Sequence, residues 1–356
     1  MSIFAPPIVS DPVSADKTLP PDRAIGMLWR RLVAFAIDGI IIGLVGFAIT
    51  LPFFETFSRV GSWGPLVGFC LAFPYFVILN SSIGNSQTLG KWLMHLRVID
   101  KNGNTISFWR SVIRYAVFAV PYFLNEMSLP ATRTPWVVST LVAIVVAGVG
   151  GATLYLVLFN RHTRQGIHDL AVGSYVADAD KDGSLKIEPI WGAHWVILGL
   201  LLIVFFLGTG VLSDKLAQWG TFSQLLEDVR LVEDMEGVQA AGVQDLNTSN
   251  SGSGEKKKIL VINVYWAGKW PNKQAFANDR TFVKKWEDKQ AFADQVAKLI
   301  IEHDPTVKEH DQLKITVIRG YSLGIARAQV SYYYQHTPAE WNARLFGAAE
   351  PSPSKP

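Results

Sequence analysis

The stretch RRLVAFAIDGIIIGLVGFAITLPFF, residues 30–54, decides how the chain is read. From Leu32 to Phe54 it is apolar except for Asp38, and as a helix it is about 34 Å long, enough to cross a bilayer. A carboxylate inside such a segment is costly in lipid, so it needs a partner, a cavity or a function. Arg30 and Arg31 stand just before the segment.

The rest of the chain supports the membrane reading. Of its 356 residues 49% are hydrophobic and only 18% charged, and the mean hydropathy is +0.21. Long apolar runs are confined to residues 25–213 and predict five spans: Leu32–Phe54, Gly64–Leu79, Trp109–Asn125, Trp136–Phe159 and Trp195–Leu212. Trp29, Trp63, Trp109, Trp136 and Trp195 each stand at the start of a span, where an amphipathic indole prefers the headgroup level. Lysine and arginine concentrate before span one, between spans two and three, and between spans four and five, which puts the amino terminus in the cytoplasm. Five crossings then leave residues 214–356 outside. In span four, Ala143, Ala147 and Gly151, with Gly148 and Ala152, put small residues at a spacing of four for close helix packing inside the bundle.

The predicted fold class is an α-helical integral membrane bundle of about five spans followed by a small soluble α+β domain. Residues 1–22 form a disordered cytoplasmic lead-in without the apolar core of a signal peptide. Residues 23–180 form a four-span membrane domain, 181–213 a linker and fifth span, 214–346 the exported domain, and 347–356 a tail. Lysine plus arginine balances aspartate plus glutamate in residues 214–356, which gives no reason to expect nucleic acid as a partner. A single cysteine, Cys70, excludes an intrachain disulfide or a thiolate metal site.

Two cytoplasmic segments carry motifs. In GNSQTLGK five residues separate Gly84 from Gly90, and Trp92 follows Lys91, so the spacing and hydroxyl of a phosphate loop are missing. The following LRVIDKNGNTIS predicts a hairpin turning at Asn102-Gly103, lying at the membrane surface with Lys91 and Arg97 toward headgroups. After span four, His168-Asp169 lacks the partner spacing of a metal site. Taken together the segments resemble the RDD family of membrane proteins. Its first motif resembles Arg31, Ala34 and Asp38; its middle motif resembles Thr88, Gly90, Lys91, Leu96, Arg97, Val98 and Gly103; its closing motif resembles Gln165, Gly166, His168 and Asp169. The resemblance covers roughly residues 24–177. It implies a multi-pass protein of the bacterial inner membrane, and cation/proton antiport in some members, with no settled biochemistry. It does not extend to the tail.

Arg31 and Asp38 are seven residues apart, about 10.5 Å along one helix face, and both side chains lean toward the helix amino terminus. A direct pair is therefore disfavoured. The expected partner of Asp38 is Arg114 at similar depth on span three, which leaves Asp169 to pair with Arg31. Arg31, Asp38, Lys91, Arg114, His168 and Asp169 are the candidate site residues.

In the tail, LAQWGTFSQLLEDVRLVEDM predicts a helix, GVQAAGVQDL and KILVINVYWAG strands joined by a flexible NTSNSGSGEKK, Thr281–His303 a helix with Phe282, Trp286, Phe292, Val296 and Leu299 or Ile300 on one face, and LKITVIRG and IARAQVSYYYQHT two strands around a glycine-containing turn. The order suggests one sheet covered on one side by a helix. His303, His310 and His336 have no catalytic spacing, and Trp266 and Trp270 leave room for a binding role. Two functions follow: a non-enzymatic inner-membrane protein whose exported domain binds a protein or small ligand for assembly, or a cation/proton transporter using Asp38. No cofactor is expected, and the lipid bilayer is the one sure partner.

Overall fold

A computed structural model describes residues 24–347 apart from 131, 182–184, 186, 219, 250–255 and 268–283. Residues 1–22, Trp270 and Phe282 therefore lie outside the described residues. The membrane part contains α1 (Leu28–Thr50), continued through a 3₁₀ turn at Leu51–Phe53 into α2 (Phe54–Ser58), and α3 (Gly64–Leu79). It goes on to the short α4 (Leu89–Leu93), β1 (Leu96–Ile99) and α5 (Phe108–Asn125). Helices α6 (Trp136–Ala143) and α7 (Gly151–Phe159) are two halves of one rod joined by a π-helical segment, Ile144–Gly150. The short α8 (Ile167–Val172), β2 (Tyr175–Asp178) and the long α9 (Ala193–Gln218) complete this part.

Among the described residues three helices are long and apolar enough to cross a membrane: Leu28–Ser58, Gly61–Leu79 and Trp136–Phe159. Ala193–Thr209 is a shorter apolar helix. Of the expected spans, Trp109–Asn125 differs in kind. Arg110 and Arg114 occupy its first two turns, and it buries Ser111, Tyr115, Ala119 and Phe123 as a centrally packed helix. All five helix-start tryptophans, Trp29, Trp63, Trp109, Trp136 and Trp195, are exposed, as are Ile40, Leu44, Leu141, Val196 and Val204. Outward apolar side chains in such numbers suit lipid and not water.

Three expectations need correction here. The turn at Asn102-Gly103 forms, with Gly103 at a positive φ of 87°, but its second arm makes only one bridge, Ile99 with Thr105. Strand β1 instead pairs antiparallel with the distant β2, Leu96 opposite Asp178 through Ile99 opposite Tyr175, four paired residues against the single bridge of the short arm. The small residues of span four pack as expected only in part: Ala152 is buried in a core with Leu156 and Leu198. The π-helical segment widens the turn and shifts the face, so Gly148 and Gly151 look onto open space while Gly150 approaches Pro121 of α5. Asn247, Thr248 and Ser249, expected in a flexible joint, are paired strand, with Ser249 opposite Lys256, and residues 250–255 lie outside the described residues.

The C-terminal domain follows α10 (Gly220–Glu233). Strands β3 (Val238–Ser249), β4 (Lys256–Trp266), β5 (Gln312–Ser322) and β6 (Arg327–His336) form one sheet in the order β3-β4-β5-β6, with β4 and β5 parallel and the outer pairs antiparallel. The parallel pair requires a crossover, which includes α11 (Lys284–His303). Alternate residues Leu260, Ile262 and Val264 of β4 and Leu313, Ile315 and Val317 of β5 meet Ala293, Val296, Ala297 and Ile300 of α11 in one core. Helix α12 (Pro338–Phe346) adds fully buried Trp341, whose Nε1–H donates to the Leu313 carbonyl at 3.0 Å. Thr337 and Glu340 cap its start reciprocally, a capping box.

The two parts are not merely tethered. The turn between β5 and β6, Leu323–Ala326, enters the end of the bundle formed by α1, α3 and α5. Leu323 is fully buried, and Ile325 packs into the helical core with Ile42, Ala72 and Phe123. Close backbone approach is what admits it: a β-carbon on Gly68 would lie 1.8 Å from the Leu323 carbonyl oxygen, and one on Gly64 2.2 Å from that of Ser322. Thr50 Oγ1 donates to the Gly46 carbonyl, so the 2.6 Å bond between Thr50 and Tyr321 has the phenol as donor. Tyr122 donates to the Gly324 carbonyl at 2.8 Å, and Arg319 pairs with Glu55 at 2.6 Å. Around the rim, Arg327 pairs with Glu126 and the Thr132 amide donates to Glu233.

Candidate functional site

At the opposite end of the bundle, α4 folds back against α1, and Asp38 explains why. Asp38 is buried, 1% exposed, and both its carboxylate oxygens are engaged. Oδ1 accepts from the Tyr75 hydroxyl at 2.6 Å and the Gly90 amide at 2.8 Å; Oδ2 accepts from the Thr88 hydroxyl at 2.6 Å. Thr88 is also the N-cap of α4, accepting from the Lys91 amide. A β-carbon at position 90 would come within 2.1 Å of the Ala34 carbonyl oxygen, so only glycine lets the amide reach Asp38. Lys91 then turns its ammonium to Asn80 Oδ1 at 2.9 Å. The sequence Thr88-Leu89-Gly90-Lys91 is thus a clasp: hydroxyl, close approach, cation.

The expected pairing of Asp38 with Arg114 is therefore wrong. Thr88 and Gly90 at the start of the short helix α4 and Tyr75 of α3 give the carboxylate three neutral donors, which suffice without a cation, and Arg114 pairs with Asp169 instead, Nε to Oδ1 at 2.8 Å. The expected Asp169–Arg31 pair fails with it. Arg31 spans backbone carbonyls, donating to Arg164 and to Val176 at 2.6 Å each, and so ties α1 to the segments around α8 and β2. Lys91 and Arg97 do not point to headgroups either: Lys91 turns inward to Asn80, and Arg97 donates to Gln87.

Asp169 has a complete shell of its own, with Ser174 Oγ donating to Oδ1 at 2.8 Å and His168 Nε2 3.3 Å from Oδ2. Burial opposes its ionisation, but Arg114 and His168 outweigh this and hold its pKa well below the usual carboxylate range. Burial pushes the His168 imidazole pKa down, and its Nδ1 is buried without a hydrogen-bond partner. Gln165 donates to the Ser174 carbonyl and fixes the loop before α8.

All six candidate residues line one cavity of about 550 Å³ between α1, α3, α5, the α6–α7 rod and α8. Their depths differ, yet the fold brings Arg31, Asp38, Lys91, Arg114, His168 and Asp169 to its polar end. Phe35, Phe118, Val146 and Val157 make the remainder mostly apolar. Tyr75, Asn80 and Ser174 complete the polar network and were missed in the sequence. Tyr75 and Asn80 carried a signal, being polar groups within and just after an otherwise apolar span. Among the described residues no group of three histidine, cysteine or acidic side chains converges as a metal site.

Residues 25–173 match the model of the RDD family. That stretch contains all six cavity residues and ends before the C-terminal domain. Comparison with the curated proteins finds no match.

Proposed function

Because residues 25–173 form an RDD-family domain, we propose that the protein is a non-enzymatic, multi-pass protein of the cytoplasmic membrane whose bundle holds an outward-facing α+β domain for binding or assembly. The observation that carries this reading is the β5–β6 turn seated among α1, α3 and α5. A domain that only needed tethering has no use for a buried turn, whereas one held in a fixed attitude toward the membrane does.

Geometry also supports five crossings. Helix α5 begins where Arg110 donates to the Val172 carbonyl, at the level where Arg31 reaches Val176. It ends where Tyr122 meets Gly324, at the level of Thr50 and Tyr321. It therefore runs between the same two levels as α1, despite its charged first turns. With α9 as the fifth crossing, the C-terminal domain lies on the side opposite α4 and α8. Transport through Asp38 is the less favoured reading, since cation or proton capture there would have to displace three donors.

Sidedness tests the proposal. In a Cys70→Ala background, Thr248→Cys is expected to react with an impermeant maleimide on intact cells, and Asn102→Cys only after permeabilisation. Labelling of Asn102→Cys on intact cells would overturn the arrangement.

A further inference from the structure

The cavity carries a charge imbalance that the protein itself does not settle. Arg31, Lys91 and Arg114 bring three cations to its polar end, against two carboxylates, Asp38 and Asp169. Both carboxylates are committed, Asp38 to Tyr75, Thr88 and Gly90, and Asp169 to Arg114, Ser174 and His168. Among the described residues, Lys91 is bonded to neutral oxygens only, and Arg31 donates to carbonyls while its Nε is buried without a partner. Excess positive charge in a low-dielectric site calls for an anion. It repels a cation.

The shape narrows the anion further. The lining extends along α5 from Ser111 and Arg114 to Tyr122 and Asn125. Asn125 lies eleven helical steps beyond Arg114, about 16 Å of slot. Beyond the polar end the lining is mostly apolar, with Phe35, Phe118, Val146, Leu154 and Val157, and Thr153, Tyr122 and Asn125 as its polar members. Leu32 and Phe35 of α1 and Leu154 of α7 line it while being 55%, 47% and 62% exposed, so the slot opens sideways on the face that meets lipid. Its volume lies in the range of cavities that enclose small organic ligands. A cationic head and a long apolar flank, open to the bilayer, match an amphiphile with one anionic group.

We propose that this cavity holds an anionic lipid of the surrounding bilayer, with its headgroup at Arg31, Lys91 and Arg114 and an acyl chain along α5. The inference is independent of the side on which the C-terminal domain lies. Bound lipid would brace α1, α5 and α7 at the end where α4 and α8 close the bundle.

The test is lipid retention. Full-length protein is reconstituted in vesicles of equal phosphatidylglycerol and phosphatidylcholine, extracted in mild detergent and analysed by native mass spectrometry. Wild type is expected to retain one phosphatidylglycerol at least fivefold above the bulk ratio. Lys91→Gln removes a headgroup cation, and Val157→Phe fills the apolar slot without touching the polar end; each is expected to bring retention to the bulk ratio. Glycerol phosphate or inorganic phosphate at millimolar concentration is expected not to displace the lipid; displacement would identify a free-anion site instead. Equal retention of both lipids by wild type, or enrichment unchanged in both variants, would overturn the proposal.

Discussion

The bundle is closed at both ends by a segment that folds into it from outside, and the two closures work by opposite means. At one end α4 is held by charge and hydrogen bonding, with Asp38 gathering Tyr75, Thr88 and Gly90, and Arg114 held by Asp169. At the other end the β5–β6 turn is held chiefly by packing, with Leu323 fully buried and its backbone pressed onto Gly64 and Gly68. The polar end lies within residues 25–173, which match the RDD family; the packed end joins it to a domain outside that match. Polar closure announces itself in sequence by residues that are expensive in a membrane. Packed closure is written in residues that look ordinary.

If the packed end rests on backbone proximity, Gly68→Leu is the most damaging single change. Its side chain has no space against the Leu323 carbonyl, so the turn must leave the bundle. The expected outcome is a loss of several kcal/mol, beyond the roughly 1–3 kcal/mol typical of overpacking, because backbone and not a side chain must move. Limited proteolysis of extracted protein should then cut between β5 and β6, where wild type is protected.

The polar end gives the next effect. Asp38→Ala strands three donors, at about 1–3 kcal/mol for each left unsatisfied. Arg114→Ala should not rescue it: the two losses are expected to add within about 0.5 kcal/mol in detergent melting. Arg114→Ala and Asp169→Ala should instead couple by about 1–3 kcal/mol. Rescue of Asp38→Ala by Arg114→Ala would restore the pairing that the structure rejects.

The smallest expected effect lies in the C-terminal domain, where Asp228 is buried beside Asp304 and one of its oxygens lacks a partner. Burial and the Asp304 carboxylate push its pKa up to about 7. The folded domain therefore holds a proton that the unfolded chain releases near pH 4. Its contribution is fully present below about pH 4 and is lost as pH rises to about 7. Asp228→Asn is expected to abolish that slope and to raise the melting temperature at pH 8 more than at pH 5. An unchanged difference between the two pH values would refute it.

The same contrast governs what the sequence disclosed. Helix limits were legible because apolar length and terminal tryptophans report the bilayer directly; Gly64–Leu79 and Trp136–Phe159 agree with the structure to the residue. All six candidate residues stand out in the sequence as costly or motif-bearing groups, and they line one cavity. Their partners were not. Asp38 is satisfied by a backbone amide and two hydroxyls, and no charge pattern reveals which carbonyls Arg31 will reach. The docking of the tail was illegible for another reason. SLGIA between β5 and β6 reads as a glycine turn, and its apolar Leu323 and Ile325, unusual at a tip that normally faces water, were the one clue.

Cross-linking across the packed end tests the central claim most directly. Glu126 just after α5 and Arg327 on β6 form an ion pair at 3.2 Å. With both replaced by cysteine in a Cys70→Ala background, and a protease site inserted at 182–184, intact membranes are treated with a short impermeant bis-maleimide and then cleaved. The account predicts that the two fragments stay covalently joined within one molecule. Fragments that separate, or cross-links found only between molecules, would contradict it.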